Sequence, residues 1–595
     1  MRRPKAALHP WRAAGVAAFA ATLLLTGCAS IPTSGTVHSA EQAAGSDSAI
    51  QQDVQFYPEP PADGASAEQI VRGFLDASGA VESAVAGQPD FATARKYLAP
   101  DDQTKWQPGN EIQIYDGSPQ LASPRTVTSH SDEQIDFEAG PAGTIDSRGT
   151  YMPASPGKDP IHYPFEVREV KGQRRIVDPP SQLLISKSNF DREYESLNLY
   201  FFDPSSKFLV PDPIYLAKRA DRATLLVRGL LQGPTSWLSS AVVPAFPTGV
   251  ELTQRGVRVV GGQAVVDLTK PAGQANRDQL NRLAAQLVRT LAQLQVSSVT
   301  ITVEGQPSAL TDLEVDKVVT PPPEPDAYGL RDGVLYVLPS IGTDDARAPE
   351  KIEGRLGTQI KLADFAVQPG SGPGTAATIA GIDDQTQTKL YVAKGVLAPE
   401  QVKMRDARHL ESPTWDRAGR LWVIDQRRGG SAIVIVDTEL RSQEISAPDI
   451  VGRSLTVKAI AVSEDGTRLA LVTEDPDGRS EAQIATMSRT GGHGLSQGLR
   501  PLAPGLSSTE DVAWRGPAEL VILGTQLNGQ LQPYLVSVDG SQLAPQGTVE
   551  NPLSVTATRN RPILVGTGSE ELWEQSGGGT WERVDQNIAA PRYPG

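Results

Sequence analysis

The segment Ala461-Val462-Ser463-Glu464-Asp465-Gly466 leads, after two further residues, into the apolar run Leu469-Ala470-Leu471-Val472. An apolar strand that meets an Asp-Gly turn and continues as a second apolar strand is typical of a tight antiparallel connection. Related phrases recur four more times in the second half of the chain, at residues 366–370, 414–419, 513–516 and 556–560. The second half is therefore predicted to consist of β-strands in a repeating unit.

The spacing of these phrases predicts the architecture. The aligned residues Val367, Trp415, Val462, Trp514 and Ala557 are separated by steps of 48, 47, 52 and 43 residues. One four-stranded propeller blade takes about 40 to 50 residues, and the phrases resemble the Asp-Gly turns of TolB-type propellers. We predict an all-β propeller of five or six blades over residues 328–590. Its loops surround a central opening, which favours a role in docking.

Pro321-Pro322-Pro323-Glu324-Pro325 separates this repeat from the preceding chain. Proline fixes φ and lacks an N–H donor, so residues 319–327 are predicted to form a semi-rigid linker. A chain of 595 residues is long enough for three or four domains. We expect the parts on either side of the linker to fold alone, and we favour the propeller as the part that captures a partner.

Residues 191–318 alternate between strand and helix patterns, which predicts an α/β domain. The leucines between Leu280 and Leu294 recur at the spacing of one buried helix face. Asp267 and Glu304 stand at strand ends, where turn and cap roles are favoured over a catalytic pair, because no partnered base accompanies them. Four motifs resemble a GerMN-type domain, a non-catalytic module: Leu-Tyr-Phe-Phe at 199–202, Leu-Leu-Gln-Gly-Pro at 230–234, Ala-Val-Val-Asp-Leu at 264–268 and Leu-Val-Arg-Thr-Leu at 287–291.

Residues 65–190 begin with helical spacing, at Ile70, Val71, Phe74 and Leu75, and continue with alternating β runs. Val167 to Val177 is predicted to be a hairpin closed at Lys171-Gly172. Helices followed by an antiparallel sheet give an α+β domain, whose order of elements resembles NTF2-like folds. The group formed by His162, Glu166, Arg168 and Glu169 is predicted to be the solvated face of a sheet, rather than a catalytic pocket.

The amino-terminal segment reads as a secretory signal over residues 1–27. A basic region containing Arg2, Arg3 and Lys5 precedes a short apolar run, which ends in Leu25-Thr26-Gly27-Cys28. This order resembles a bacterial lipobox, which implies diacylation of Cys28; the alternative is an ordinary signal with a chance cysteine. The polar residues 28–64 are predicted to form a flexible tether, so the mature chain is expected to be anchored in the membrane without spanning it.

Charge and motif content exclude several classes of function. The chain carries a formal net charge of −15, and the mature chain, without the four cations of residues 1–27, carries −19. Such a body repels phosphate backbones, so nucleic acid is a poor partner. The mature histidines are scattered, no metal-ligand spacing occurs, and the glycines of residues 370–374 lack the lysine of a P-loop. No catalytic residue, metal or cofactor is predicted.

The lipobox, the α+β segment, the GerMN-like motifs and the propeller together resemble the LpqB family of actinobacterial lipoproteins. This resemblance implies a non-enzymatic accessory protein on the outer face of the cell membrane. It also implies a partner, the extracytoplasmic domain of a two-component sensor kinase of the MtrB type, whose signalling the protein modulates.

Two alternatives remain at this point. The propeller is a candidate for binding a small molecule or cell-wall sugar, which aromatics and carboxylates clustered at one mouth would favour. A serine hydrolase is the other, because Gly494-Leu495-Ser496-Gln497-Gly498 fits the G-x-S-x-G pattern beside His493. A nucleophile elbow needs a strand directly before the motif and a helix after it. The sequence predicts neither, so the motif is interpreted as a loop between strands.

Overall fold

The computed structural model describes residues 58–595, except 81–90, 110, 123–124, 127–131, 156, 255, 308–324, 340–346, 371–376, 489–493, 497 and 578. The predicted signal, Cys28 and His493 lie outside the described residues, as do most of the tether and most of the linker. Residues 56–595 form one compact unit. Among the helices of the described part, none is long and apolar enough to cross a membrane.

The first domain packs helices against a seven-stranded sheet. Helix α1 has a capping box, because Ser66 Oγ accepts from Gln69 N at 3.2 Å and Gln69 Oε1 accepts from Ser66 N at 2.8 Å. The sheet order is β6-β5-β3-β1-β7, with β2 and β4 also paired to β3. The elements are α1 (Ala67–Gly79), α2 (Ala92–Arg95), α3 (Pro100–Lys105), β1 (Ile112–Leu121), β2 (Arg125–Thr126), β3 (Glu133–Ile145), β4 (Tyr151–Pro153), β5 (Ile161–Val170), β6 (Gln173–Val177), β7 (Leu183–Ser186) and α4 (Lys187–Glu193).

The predicted α+β class and the hairpin of this domain are confirmed. Strands β5 and β6 pair from Glu166 to Val170, and the turn residues Lys171 and Gly172 have φ of +53° and +77°. Two left-handed residues are what a two-residue hairpin turn requires. The inward faces of α1 and the sheet meet in one apolar core around Phe74 and Phe165.

The second domain has the predicted α/β character. Strand β11 runs parallel to β12, and the connection between them contains α6, which buries its leucine stripe in the core as the spacing predicts. The four-stranded sheet has the order β10-β11-β12-β13, and β8 and β9 form a separate hairpin. The elements are β8 (Tyr194–Phe202), β9 (Leu209–Ala217), α5 (Arg222–Gln232), β10 (Arg258–Val260), β11 (Gln263–Leu268), α6 (Arg277–Leu291), β12 (Ser298–Val303) and β13 (Gln306–Pro307), with 3₁₀ turns at Lys270–Gln274 and Ala292–Leu294.

The third domain is a propeller of six four-stranded sheets, the larger of the two predicted numbers. From the second blade onward the strands are β17 (Leu362–Val367), β18 (Thr378–Asp383), β19 (Leu390–Lys394), β20 (Glu400–Gln401), β21 (Leu410–Trp415), β22 (Leu421–Arg427), β23 (Gly430–Val436), β24 (Ser442–Glu444), β25 (Thr456–Val462), β26 (Arg468–Glu474), β27 (Ser480–Thr486), β28 (Arg500–Pro501), β29 (Ser508–Trp514), β30 (Glu519–Thr525), β31 (Gln532–Ser537), β32 (Leu543–Pro545), β33 (Pro552–Thr556), β34 (Leu564–Thr567), β35 (Leu572–Ser576) and β36 (Thr580–Asp585). The short helix α7 (Pro448–Gly452) precedes β25.

The first blade joins the two ends of the domain. The start of the domain supplies three strands of this blade: β14 (Ala327–Arg331), β15 (Val334–Leu338) and β16 (Glu350–Lys351). The end of the domain supplies the fourth strand, β37 (Ala589–Arg592). Because this blade takes its innermost strand from β37, it carries no internal copy of the repeated phrase. Closure of the ring by a distant strand leaves few exposed strand edges.

Candidate functional site

The inner strand of every blade carries a register irregularity at its pairing with the next strand. A β-bulge of this kind redirects a side chain, here toward the neighbouring inner strand. Three such side chains bond to the backbone of the next blade: Asp364 Oδ2 accepts from Ser412 N at 3.2 Å, Ser412 Oγ accepts from Ile460 N at 3.0 Å, and Asp511 Oδ2 accepts from Val555 N at 2.9 Å. These polar residues therefore hold the ring of blades together.

The charged residues of the channel are paired with one another. Arg592 Nη2 lies 3.5 Å from Asp364 Oδ1, and Lys458 Nζ lies 2.6 Å from Glu510 Oε2. Burial raises the pKa of Asp511, against the attraction of Arg592. The inner strands and the turns that follow them surround a cavity of about 80 Å³, whose charged groups are engaged by neighbouring blades.

The aromatic residues of the repeated phrases also serve the ring. Trp415 and Trp514 are 4% and 8% exposed, and each indole donates to the preceding blade, to Ala366 O at 3.3 Å and to Ala461 O at 2.8 Å. The binding alternative expected aromatics and carboxylates clustered at one mouth, where a ligand could stack on them. Both indoles line the channel cavity together with Glu464 and Asp511, but they are buried and bonded between blades, which leaves little ring surface for a ligand to stack on.

Ser496 lies in the connection between β27 and β28, where its N–H donates to Thr486 O at 2.8 Å. Its Oγ lies 2.9 Å from Ser240 Oγ of the second domain. The next described element after it is strand β28 rather than a helix, so the strand-turn-helix geometry of a nucleophile elbow is not formed here. His493 falls outside the described residues.

The two carboxylates at strand ends, Asp267 and Glu304, have structural roles. Asp267 Oδ1 accepts from Thr302 Oγ1 and Gly305 N, both at 2.7 Å, and Glu304 occupies the turn after β12 with φ of +49°. Both therefore have the predicted turn and cap roles.

On the first domain, Arg168 pairs with Glu166 at 3.0 Å on the solvated side of the sheet, as predicted. Within the described ranges, no group of three or more His, Cys, Asp or Glu side chains is arranged to hold a metal ion.

The three domains meet at a buried junction that the sequence did not indicate. Tyr215 of β9 donates to Ser541 Oγ of the propeller at 2.6 Å, and its N–H donates to Gly149 O of the first domain at 2.7 Å. Arg148 donates to Pro234 O at 2.8 Å. The guanidinium of Arg500 lies 5.0 Å from the ring centre of Trp237, so residues from all three domains contact one another here.

This junction holds charge in a buried environment. Burial raises the pKa of Asp212 to about 6, although the Thr235 N–H and hydroxyl bonds and the charges of Arg148 and Arg500 act against it. Burial lowers the pKa of Arg500, against the attraction of Asp212, Asp146 and Asp539. Each domain thus contributes one carboxylate around the same arginine, which couples the domains electrostatically.

The contacts of the second domain fall on one end of the propeller. Arg417 follows an inner strand and stacks over Phe208, 5.2 Å from its ring centre, while Ser496 lies in the connection from the third to the fourth strand of its blade. In an antiparallel blade both connections lie at the end where the inner strand finishes. The loops at the opposite end, where the inner strands of blades 2 to 4 begin, are a separate surface.

Comparison with known proteins now identifies the domains. Residues 60–191 match the family described as "Lipoprotein LpqB, N-terminal domain", and residues 341–594 match the "Lipoprotein LpqB beta-propeller domain". Residues 198–309 match the family described as "Sporulation and spore germination". The chain belongs to the LpqB family.

Relatives match over almost the whole length. "Lipoprotein LpqB" of Streptomyces coelicolor is 29% identical over 98% of this chain and 98% of its own length. The protein of the same name from Thermobifida fusca is 28% identical over 98% and 99%. The TolB structure from Acinetobacter baumannii covers 48% of this chain and 73% of its own at 12% identity, with a TM-score of 0.34. That score supports no transfer of activity to this LpqB-family chain.

Proposed function

We propose that this chain is a lipid-anchored protein of the extracytoplasmic face of the cell membrane, which binds a two-component sensor kinase of the MtrB type without catalysing a reaction. The observation that carries this is the match to proteins named "Lipoprotein LpqB" over nearly the full length, together with the lipobox-like Leu25-Thr26-Gly27-Cys28. Acylation of Cys28 would confine the body near a membrane partner and raise its effective concentration there.

The geometry of the described residues supports binding rather than chemistry. The charged side chains of the propeller channel are paired across blades, and Ser496 is hydrogen-bonded across a domain interface. The three domains are joined at a buried junction, so the propeller is held at a fixed orientation relative to the domain that leads to the tether. A body whose domains are joined in this way, with the loops where the inner strands of blades 2 to 4 begin lying away from the contacts of the second domain, fits the role of an accessory subunit.

Photo-crosslinking in intact cells tests this proposal. A crosslinkable residue at exposed Arg428, in the second turn of blade 3, should capture the kinase through its extracytoplasmic domain. The same residue at exposed Lys351, on an outer strand, serves as the control. Absence of capture at Arg428 and at every other exposed position tested on the three domains would contradict the proposed partnership.

A further inference from the structure

The propeller end opposite the contacts of the second domain carries an unusual charge for this protein. The segments 401–410 and 426–430, which lie where the inner strands of blades 3 and 4 begin, contain one carboxylate, Asp406, and five cations: Lys403, Arg405, Arg408, Arg427 and Arg428. All five are exposed. The equivalent segments of blades 5 and 6, at 526–531, 546–551 and 568–571, contain three glutamates and no cation. The equivalent segments of blade 4, at 445–455 and 475–479, contain three aspartates and two arginines. On a mature chain of net charge −19, the excess of cations at this end is therefore confined to one rim, at 401–410 and 426–430.

A buried carboxylate beneath the rim holds its two basic segments in place. Asp425 is 1% exposed, and its Oδ1 accepts from Arg408 N at 2.8 Å while its Oδ2 accepts from Arg427 Nε at 2.8 Å. Gln426 N donates to His409 O at 2.8 Å. One buried carboxylate thus fixes both cationic segments, so little freedom is lost when a partner binds them.

A groove extends the rim toward blade 4. Its volume is about 190 Å³, and it is lined by Arg427, Arg428, Glu444, Ile450 and Leu455 among others. Ile450 and Leu455 are buried at its base, and exposed Arg453 lies beside Leu455. Arginine guanidinium groups around an apolar floor are a composition common in protein interfaces, because the planar group binds carboxylates in pairs of hydrogen bonds.

Arg427 is paired with Asp425 and Glu444, both at 2.8 Å, so it orders this surface rather than offering a charge to a partner. We propose that this basic rim, defined by Arg405, Arg408, Arg428 and Arg453, is the docking surface for an acidic protein surface. As a refinement that rests on the proposed function, that surface belongs to the extracytoplasmic domain of the sensor kinase. An anionic membrane is the less favourable occupant, because the rest of the body is strongly acidic and is repelled by such a surface. The rim lies at the end of the propeller opposite the contacts of the second domain, so docking there leaves the domain junction undisturbed.

A charge-reversal experiment tests the rim. The chain lacking residues 1–28, which retains the compact unit of residues 56–595, is compared with Arg428→Glu/Arg453→Glu and with Lys351→Glu/Lys394→Glu. Both double variants change the net charge equally, and the second pair is exposed away from the rim. The probes are the purified extracytoplasmic domain of the kinase, a polyglutamate peptide, and vesicles containing phosphatidylglycerol.

We expect the rim variant alone to lose about tenfold or more in affinity for the kinase domain at low salt, and the wild-type affinity to fall as salt is raised. Equal binding of the kinase domain by all three proteins would overturn the rim while leaving the proposed function standing. Rim-dependent binding of polyglutamate without any binding of the kinase domain would support the acidic-protein surface and contradict the kinase partnership. Rim-dependent binding of vesicles without binding of either acidic protein probe would overturn the proposal in favour of a membrane surface.

Discussion

At the scale of single residues, Cys28 has the most direct consequence. It lies outside the described residues, and its role rests on the lipobox-like motif. Cys28→Ala should release the protein from membranes, because without the thiol there is no site for the acyl chains that would hold it there. Membrane fractionation after a high-salt wash measures this, with Ser30→Ala as the neighbouring control. A Cys28→Ala protein that stays in the pellet would show that another segment holds it.

Asp212 predicts a pH dependence. Its pKa is about 6 in the folded chain, against 3.8 for an unburied aspartate. A raised carboxyl pKa means that the folded chain binds this proton more tightly than the unfolded chain, so Asp212 lowers stability progressively as pH rises from about 4 to 7. Relative to Asp212→Asn, the wild type should lose up to about 3 kcal/mol over this range.

Urea unfolding at several pH values measures the effect of Asp212. Asp384→Asn, at an exposed position, is the control for the removal of one carboxylate. Parallel curves for wild type and Asp212→Asn would contradict the role given to burial at the junction.

Substitution of Ser496 distinguishes a binding protein from a serine hydrolase. Its hydroxyl bonds to Ser240 across the interface, so Ser496→Ala should cost about 1 kcal/mol or less and leave partner binding intact. A fluorophosphonate probe should label neither protein. Labelling of the wild type that disappears in the variant would restore the hydrolase alternative.

At the scale of elements, Trp514 shows what the aromatic residue does in the two repeated phrases that carry a tryptophan. Its indole donates to Ala461 O of the preceding blade and lies under the guanidinium of fully buried Arg468, 4.9 Å from the ring centre. Trp514→Phe removes the hydrogen bond and weakens the cation–π contact, so we expect a loss of about 1–3 kcal/mol in the free energy of unfolding.

Urea denaturation checks this loss. Trp573→Phe is the matched control, because the Trp573 indole donates to Glu571, within its own blade, at 3.2 Å. Equal losses in both variants would show that contact between blades is not the cause.

Elements with a local signal could be predicted from the sequence. The hairpin at Lys171-Gly172 and the stripe of α6 are set by neighbours within a few residues, and the blade period is set by a phrase that recurs along the chain. The closing strand β37 gave no such signal, since four residues without an Asp-Gly turn carry no period. Its role follows from pairing with β14, more than 250 residues away in sequence.

The junction between the domains could not be predicted either, because the residues that meet there are far apart in the sequence. Asp146, Asp212, Arg500 and Asp539 belong to three domains, and only the packed fold brings them together. In the sequence each is an isolated charged residue, and such a residue is expected to lie in solvent. Burial, which shifts the pKa of Asp212 and Arg500, is a property of the assembled domains.

At the scale of the whole molecule, the junction predicts what happens to the two pieces when the chain is cut in the proline-rich linker. Each part has its own core, so cleavage between residues 318 and 326 should leave two folded pieces. The contacts of Tyr215 with Ser541 and of Trp237 with Arg500 should keep them together. We expect the cleaved wild type to elute as one complex in gel filtration.

Trp237→Ala combined with Tyr215→Phe should separate the cleaved pieces, because it removes a buried hydrogen bond and the ring under Arg500. Leu527→Ala, at an 81% exposed position of the propeller, is the control and should leave the complex intact. Wild-type pieces that separate on cleavage would show that the junction is too weak to fix the domains.

Once separated, the pieces also locate the partner. Retention of the kinase by the piece before the linker, with none on the propeller piece, would place docking on the first two domains and remove the propeller from that role.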